Sequence, residues 1–507
     1  MVEGHGAREP REPSFVRAGP SATGGRLRSG VLHLFDLIPL STSSVAPAFS
    51  IAAAYGVMVS YVGPQAIMSV VVAFPFFLFS ALIFRQLNIH YPHAGASYFW
   101  GTWVMGRRYG GFQAWIVSLA YFLSLPPILL PAGEYTLQLL GSFGLVPAGA
   151  VNSLIWEATT GIGWALVAAI PLLLGGRPTA RFTEAFLGLE LAVLAIFLAI
   201  GLWTLPHHVV NPLRASWFFS PSVNPLSFSL AFVVVATILD GWEIDSYASE
   251  EAQKPRRWPG TSGVYGLAAV FLLYMITMPL MTIETPLGAL SSSVDPLATW
   301  VGYVMPSAGW AIDLAVIAST ASSLWLTAFI LSRAWYAMGR SGILPRAFAR
   351  THGRFQSPWV CIAIITGAEV AVQLSELTSS SIFAFFSLAL TAAGLFLLAE
   401  FALNGITATV HFRQVRHPMG QEPARPHRHS WMIVLGPLTA GAMLVIIAVG
   451  LVTNPELALV SGLLLAPSAY FLWRAGRLPR EDLLYSPLRE PPGILEEGRG
   501  TPSEPAS

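Results

Sequence analysis

The stretch "DGWEIDSYASEE", residues 240–251, decides how this 507-residue chain is read, because it continues the apolar run Ala231 to Leu239 without a break. Five carboxylates fall within its twelve residues. At the centre of a bilayer-spanning helix an acid costs roughly 2.5 to 3.5 kcal/mol on insertion scales, so a chain that keeps several there is using them or hiding them.

The rest of the chain has the composition of a membrane protein. It is 54% hydrophobic and 11% charged, with a mean hydropathy of +0.60, whereas soluble domains carry about 25% charged residues. An ordinary soluble enzyme is excluded. Apolar runs of about 20 residues fall at 34–60, 64–87, 112–140, 161–175, 184–205 and 226–250, then at 260–283, 306–336, 358–376, 382–410, 431–452 and 456–473. They predict an all-α multi-pass protein with twelve transmembrane helices. Charge tests this count, because short loops rich in Lys and Arg stay in the cytoplasm. With the N-terminus inside, 27 of the 28 Lys and Arg residues fall on the cytoplasmic side and Arg214 alone falls outside. The expected location is the plasma (inner) membrane with both termini cytoplasmic. Residues 1–30 are polar and Pro/Gly/Arg-rich and lack the apolar core of a cleavable signal; with 475–507 they read as disordered tails.

Several chemistries drop out. The one lysine, Lys254 in "EAQKP", permits no Gly-Lys phosphate-cradling loop. The histidines lie in tails, loops or span ends without an HExxH or Cys cluster, and "HPMGQEPARPHRHS" (417–430) reads as a solvated basic loop rather than a metal site. Neither a cofactor, a metal nor a nucleic-acid partner is expected. Cys361 is the single cysteine and excludes an intramolecular disulfide.

In lipid, helix breaks survive only where they line protein or a water-filled cavity. The first span reads "LIPLSTSSVAPAFSIAAAYG" (37–56), and Pro is tolerated in a first helical turn. Residues 43–46 therefore read as an unwound joint, with a half-helix starting near Pro47 whose N–H groups face an anion. The sixth span is interrupted at "LDGWE" (239–243), where Gly241 supplies conformational freedom. The two spans run in opposite directions at corresponding positions of successive five-helix units, the pointer to an inverted-repeat transporter with its site at the midplane. Pro, Gly and Ser/Thr runs that simply pack helices are the competing reading.

Three further motifs carry a family resemblance. "YPHAGASYFWG" (91–101), "GWEIDSYASEEAQKPRRWPG" (241–260) and "SRAWYAMGRSGILPRAFARTHGRFQSP" (332–358) resemble, in order and spacing, motifs of amino acid permeases of the amino acid/polyamine/organocation superfamily. The resemblance implies a five-plus-five inverted repeat with broken helices 1 and 6. Its repeats would span 31–205 and 206–410, followed by two peripheral helices at 411–474. It implies a secondary transporter moving an amino acid or related amine by alternating access, with protons or an exchanged substrate as the coupled partner. Carried over by position, Ser43, Ser44, Val45, Ala46 and Pro47 would hold a substrate carboxylate through backbone amides. Asp240, Gly241, Trp242 and Glu243 would offer carbonyls to the amino group, with Trp242 as an aromatic gate. The chain departs from the family in the first span, where Val45-Ala46-Pro47-Ala48-Phe49 replaces Gly-Ser-Gly-Ile-Phe and narrows the backbone's freedom.

The acids then divide. Glu250 and Glu251 would pair with Lys254, Arg256 and Arg257 by i,i+3 and i,i+4 spacing. Asp240 reads as a cap for the second half-helix or as a partner for a cation, with capping favoured; Glu243 reads equally as a site residue or as family background. Asp245 is expected to be a hydrogen-bonded packing residue. Glu190, in "FLGLELAVL", lies where related proton-coupled permeases place a titratable lysine against the first joint, and is the candidate for proton coupling; a neutral Glu bonded to a neighbouring helix is the alternative. Asp313 and Glu369 read as snorkelling at span ends. Tyr121, Ser319 and Ser323 would face the central cavity, the two serines sharing a helical face. The competing function is a non-transporting membrane sensor or partner subunit of the same fold. A membrane enzyme lacks any recognisable catalytic constellation.

Overall fold

The computed structural model describes residues 25–483 except 148, 294, 378–381 and 417–430. The disordered-tail readings of 1–30 and 475–507 lie outside the described residues at 1–24 and 484–507, while 475–477 and 480–483 are helical; the basic-loop reading of 417–430 also lies outside the described residues. Where water is absent the backbone must satisfy itself, which drives apolar runs into helices. Among the described residues the only strand-like pairing is an isolated bridge between Leu32 and Ala252.

The chain opens with α1 (Leu34–Ser44), α2 (Pro47–Val62), α3 (Ala66–His90) and α4 (Ala96–Met105). Next come α5 (Arg107–Ser142), α6 (Leu154–Leu174), α7 (Gly176–Thr204), α8 (Pro225–Ile238) and the single turn α9 (Ile244–Tyr247). The second half holds α10 (Thr261–Glu284), α11 (Leu287–Ser292), α12 (Pro296–Val304), α13 (Gly309–Ser341), α14 (Trp359–Glu376) and α15 (Ile382–Arg416). It ends with α16 (Met432–Thr453), α17 (Pro455–Leu465), α18 (Ser468–Arg477) and α19 (Arg480–Leu483).

Nine helical stretches among the described residues are long and apolar enough to cross a bilayer. The first, Leu34–His90, takes in α1, α2 and α3 together, and Pro225–Ile238 and Trp359–Ser375 are apolar but shorter. A helix interrupted by a break is necessarily short on either side of it, which is why α8 falls below the length for a span.

α13 forms the axis of the molecule. It packs on α5, α7, α1, α2 and α6 and is buried almost throughout its length. α1 lies against α10 and α7, while α2 lies against α8.

The basic residues collect at one face. Arg85 at the end of α3 bonds Thr261 at the start of α10 (3.0 Å), Arg107 bonds the Leu478 carbonyl (2.9 Å), and Arg474 bonds the Gly342 carbonyl (3.0 Å). Arg214 follows a loop tied by the Val210 and Asn211 N–H groups to the Ile283 carbonyl, at the other end of α10.

On the basic face the pairing expected for Glu250 and Glu251 is corrected. Glu250 is held by Arg340 at 2.6 and 2.7 Å and by the Ala94 N–H at 3.0 Å, and Glu251 by Arg333 at 2.9 Å. Local spacing suggested neighbours in the loop, but both carboxylates turn inward, 3% and 2% exposed, and take guanidinium partners from α13. The Glu251 carbonyl also accepts the N–H groups of Val31 and Leu32, stitching the segment before α1 across this face.

Snorkelling of Glu369 is likewise corrected. It is 3% exposed and lies among Phe122, Leu125, Pro126 and Leu129, because α14 packs against α5 and α6 instead of ending at a surface there. Asp313 is 8% exposed. Cys361 is wholly buried, its thiol donating to the Phe348 carbonyl.

Candidate functional site

The first break is tighter than the sequence suggests. α1 stays helical through Ser44, and the turn is made by Ala46, whose φ of 53° and ψ of 65° are left-handed, before Pro47 opens α2. An L-residue with a Cβ pays for that conformation with roughly 1–2 kcal/mol. Four of the backbone groups at this break find side chains. The Ala48 N–H donates to Glu190 Oε1 at 2.8 Å and the Phe49 N–H to Ser319 Oγ at 3.2 Å. The Val45 carbonyl accepts from Ser50 Oγ (2.8 Å) and the Ser44 carbonyl from Ser323 Oγ (3.2 Å). Ser319 Oγ also donates to Glu190 Oε1 at 2.8 Å, and Ser43 Oγ donates to Ser322 Oγ at 2.7 Å. α7 and α13 therefore meet at the half-helix N-terminus.

The second break is built the same way. Tyr274 donates to the Ile238 carbonyl (3.0 Å), Trp242 Nε1 to the Leu239 carbonyl (2.9 Å), and the Gly241 N–H to both Glu243 oxygens (3.0 and 3.2 Å). Gly241 has φ +97°, and a Cβ there would sit 2.6 Å from the Ser44 carbonyl oxygen. The two breaks thus touch backbone to backbone, and the contact requires glycine.

Between them lies a cavity of about 50 Å³, lined among others by Ser44, Val45, Ala46, Tyr121, Asp240, Gly241 and Ser323. Those seven expected site residues meet there. Phe49, Ile128, Thr327, Ile330 and Leu397 are among the further wall residues that were not singled out in the sequence. They come from ordinary apolar helix faces, which carry no local signal. Ser43, Pro47, Trp242, Glu243, Ser319 and Glu190 do not line the cavity but sit behind its lining.

Two expected roles change. Trp242 is not a gate over the cavity; it is fully buried, with its ring 5.2 Å from Phe84 and 5.6 Å from Phe401, because its N–H is drawn to the Leu239 carbonyl. Asp240 does not cap the second half-helix. Glu243 takes the Gly241 N–H and also accepts from Tyr121 at 2.9 Å, leaving Asp240 facing the cavity.

Behind Glu243 runs a buried polar chain. Glu400 accepts from Ser97 and from Tyr247 (2.7 Å), Asn404 donates to Ser97, and Gln113 donates to Asn404, both at 2.8 Å. No Lys, Arg or His among the described residues forms an ion pair with Glu190, Asp240, Glu243 or Glu400. Nor do the described residues contain a cluster able to hold a metal ion.

A family model described as "Amino acid permease" matches residues 32–472. The chain belongs to the amino acid permease family. That family consists of permeases, not enzymes, and its members are embedded in membranes, in keeping with the apolar helices. The permease is 25% identical over 336 residues to a methylthioribose transporter of Bacillus subtilis, covering 62% of this chain and 69% of the relative. It is 24% identical over 342 residues to a branched-chain amino acid permease of Lactococcus lactis, covering 62% and 70%. To the b(0,+)-type amino acid transporter 1 of Mus musculus it is 26% identical over 320 residues, covering 62% and 60%. The matched region of the permease takes in both breaks and the cavity between them.

Proposed function

We infer that this permease is a twelve-span secondary active transporter of the plasma membrane, with both termini cytoplasmic, that moves an amino acid or related amine by alternating access coupled to protons. The basic face is then the cytoplasmic one. The repeats are 31–205 and 206–410, the peripheral helices 411–474, with tails at 1–30 and 475–507. Supporting the repeat are two helices broken at matched positions and touching at Gly241 and Ser44. One relative is named for branched-chain amino acids and another for methylthioribose, a molecule with no carboxylate. The family's relatives are thus named for chemically diverse cargo.

The observation that carries the coupling is the Glu190 carboxylate holding the first turn of α2 through Ala48, beside the cavity. Its other oxygen is buried without a hydrogen-bond partner among the described residues, leaving an atom on which a proton can sit. An ionised carboxylate bonded to an N–H is worth about 1.5–3 kcal/mol, against about 0.5–1.5 for a neutral pair. Protonation of Glu190 therefore weakens the tie between α7 and the half-helix, and deprotonation restores it. The cavity has room for only a few waters, so loading requires the breaks to part. Loosening at Ala48 is the step that permits this.

The test is uptake into proteoliposomes with and without an inward proton gradient. The gradient is expected to drive accumulation by the native chain. Glu190→Gln should exchange substrate across the membrane yet accumulate none. Gradient-driven accumulation by that variant would end the assignment.

A further inference from the structure

Resting on the transport reading, we propose that the substrate is an organic ammonium ion without a carboxylate, such as an aliphatic monoamine or diamine, held by Asp240. The first observation is what occupies the half-helix N-terminus. The N–H groups of Ala48 and Phe49 are those that the start of a helix offers to an anion, and both are already taken, by Glu190 and Ser319. The Ala46 N–H is spent on the Ser43 carbonyl (3.0 Å) and that of Gly241 on Glu243. The chain has placed its own carboxylate at the anion position.

The second observation is the cavity wall. Among the described residues no Lys, Arg or His lines it, and the one carboxyl group there is that of Asp240. Glu243 and Glu400 lie close enough to interact electrostatically with Asp240. A carboxylate brought in would face like charge with no cation to offset it, while an ammonium would neutralise a carboxylate group that has no ion-pair partner among the described residues.

The third is Ser44 Oγ. It lines the cavity, is 7% exposed, and has no hydrogen-bond partner among the described residues. Buried hydroxyls are ordinarily paired, and this one offers an acceptor lone pair to an ammonium lying against Asp240. Ile128, Ile330 and Leu397 give a hydrocarbon chain apolar wall to lie on, beside the hydroxyl side chains of Ser124, Thr237 and Thr327.

The experiment pairs compounds that differ by the carboxylate alone: cadaverine with lysine, putrescine with ornithine, 3-methylbutylamine with leucine. Apparent affinity is read from the thermal shift of the full-length protein in detergent, and transport from uptake into proteoliposomes. The amine of at least one pair should bind at least about tenfold more tightly than its amino acid, since like-charge juxtaposition costs several kcal/mol. Glu190→Ala, which frees the Ala48 N–H, should narrow that ratio in favour of the amino acid, and Asp240→Asn should abolish the preference. Amines that bind without being taken up would leave this assignment standing and remove the transport reading. Amino acids binding as well as or better than their amines in every pair would overturn it, as would the absence of any shift in either series. Retained amine preference in folded Asp240→Asn would overturn it too.

Discussion

Ala46 carries a conformation that glycine adopts at little cost, at the point where the first span reverses into its half-helix. Replacing it with glycine removes the steric penalty but adds freedom to the unfolded chain, effects of about 1 kcal/mol each in opposite directions. Ala46→Gly should therefore leave the thermal midpoint within a few degrees of the native value. Ala46→Val, with a branched side chain in the left-handed region and 3% exposure to expand into, should depress folded yield severely; normal yield would show that the backbone changes shape there. At this scale the sequence was legible where a rule is local. Pro47 marked the start of the half-helix, whereas Glu190 was singled out through the family resemblance and not by a local rule. It was not legible for Asp240 and Glu243. The cap preference of Asp favoured Asp240, yet it is Glu243 that folds back onto Gly241, held also by Tyr121, more than 100 residues away.

Among the elements, α10 depends on a residue outside it. Asp245, on α9, accepts the N–H groups of Gly260 and Gly263 at 2.6 Å and the Ser262 hydroxyl at 2.7 Å, so it caps the start of α10 from the neighbouring turn. The packing role read from the sequence holds, but the partner could not be read, since a cap supplied from fifteen residues upstream lies outside the usual capping window. Asp245→Ala strands two buried N–H groups and should cost about 3 kcal/mol, seen as a fall in the denaturation midpoint. Asp245→Asn, which keeps one acceptor oxygen, should recover part of it. Equal loss in both variants would mean that charge, not bonding, is what α10 needs.

Over the whole molecule, the two inward acid–arginine pairs bind the segment after the second break to the end of α13 across the basic face. Arg333 is fully buried, and removing one member of a buried pair costs roughly 3–5 kcal/mol because the other is left charged and alone. Arg333→Met should destabilise by that much, and the double variant with Glu251→Gln should recover most of it in a double-mutant cycle. Additive losses would show that the pair contributes no coupling. The helical architecture and the two breaks were legible because apolar length and Pro/Gly punctuation are properties of contiguous sequence. The partners on α13 were not, since they depend on how helices dock.

The buried thiol of Cys361 makes the native chain nearly silent to water-soluble maleimides. A cysteine set at Ser44 would then be the sole responsive position, and its labelling rate from either side of a vesicle would act as a clock for how often the breaks part. No cysteine-free background need be engineered first.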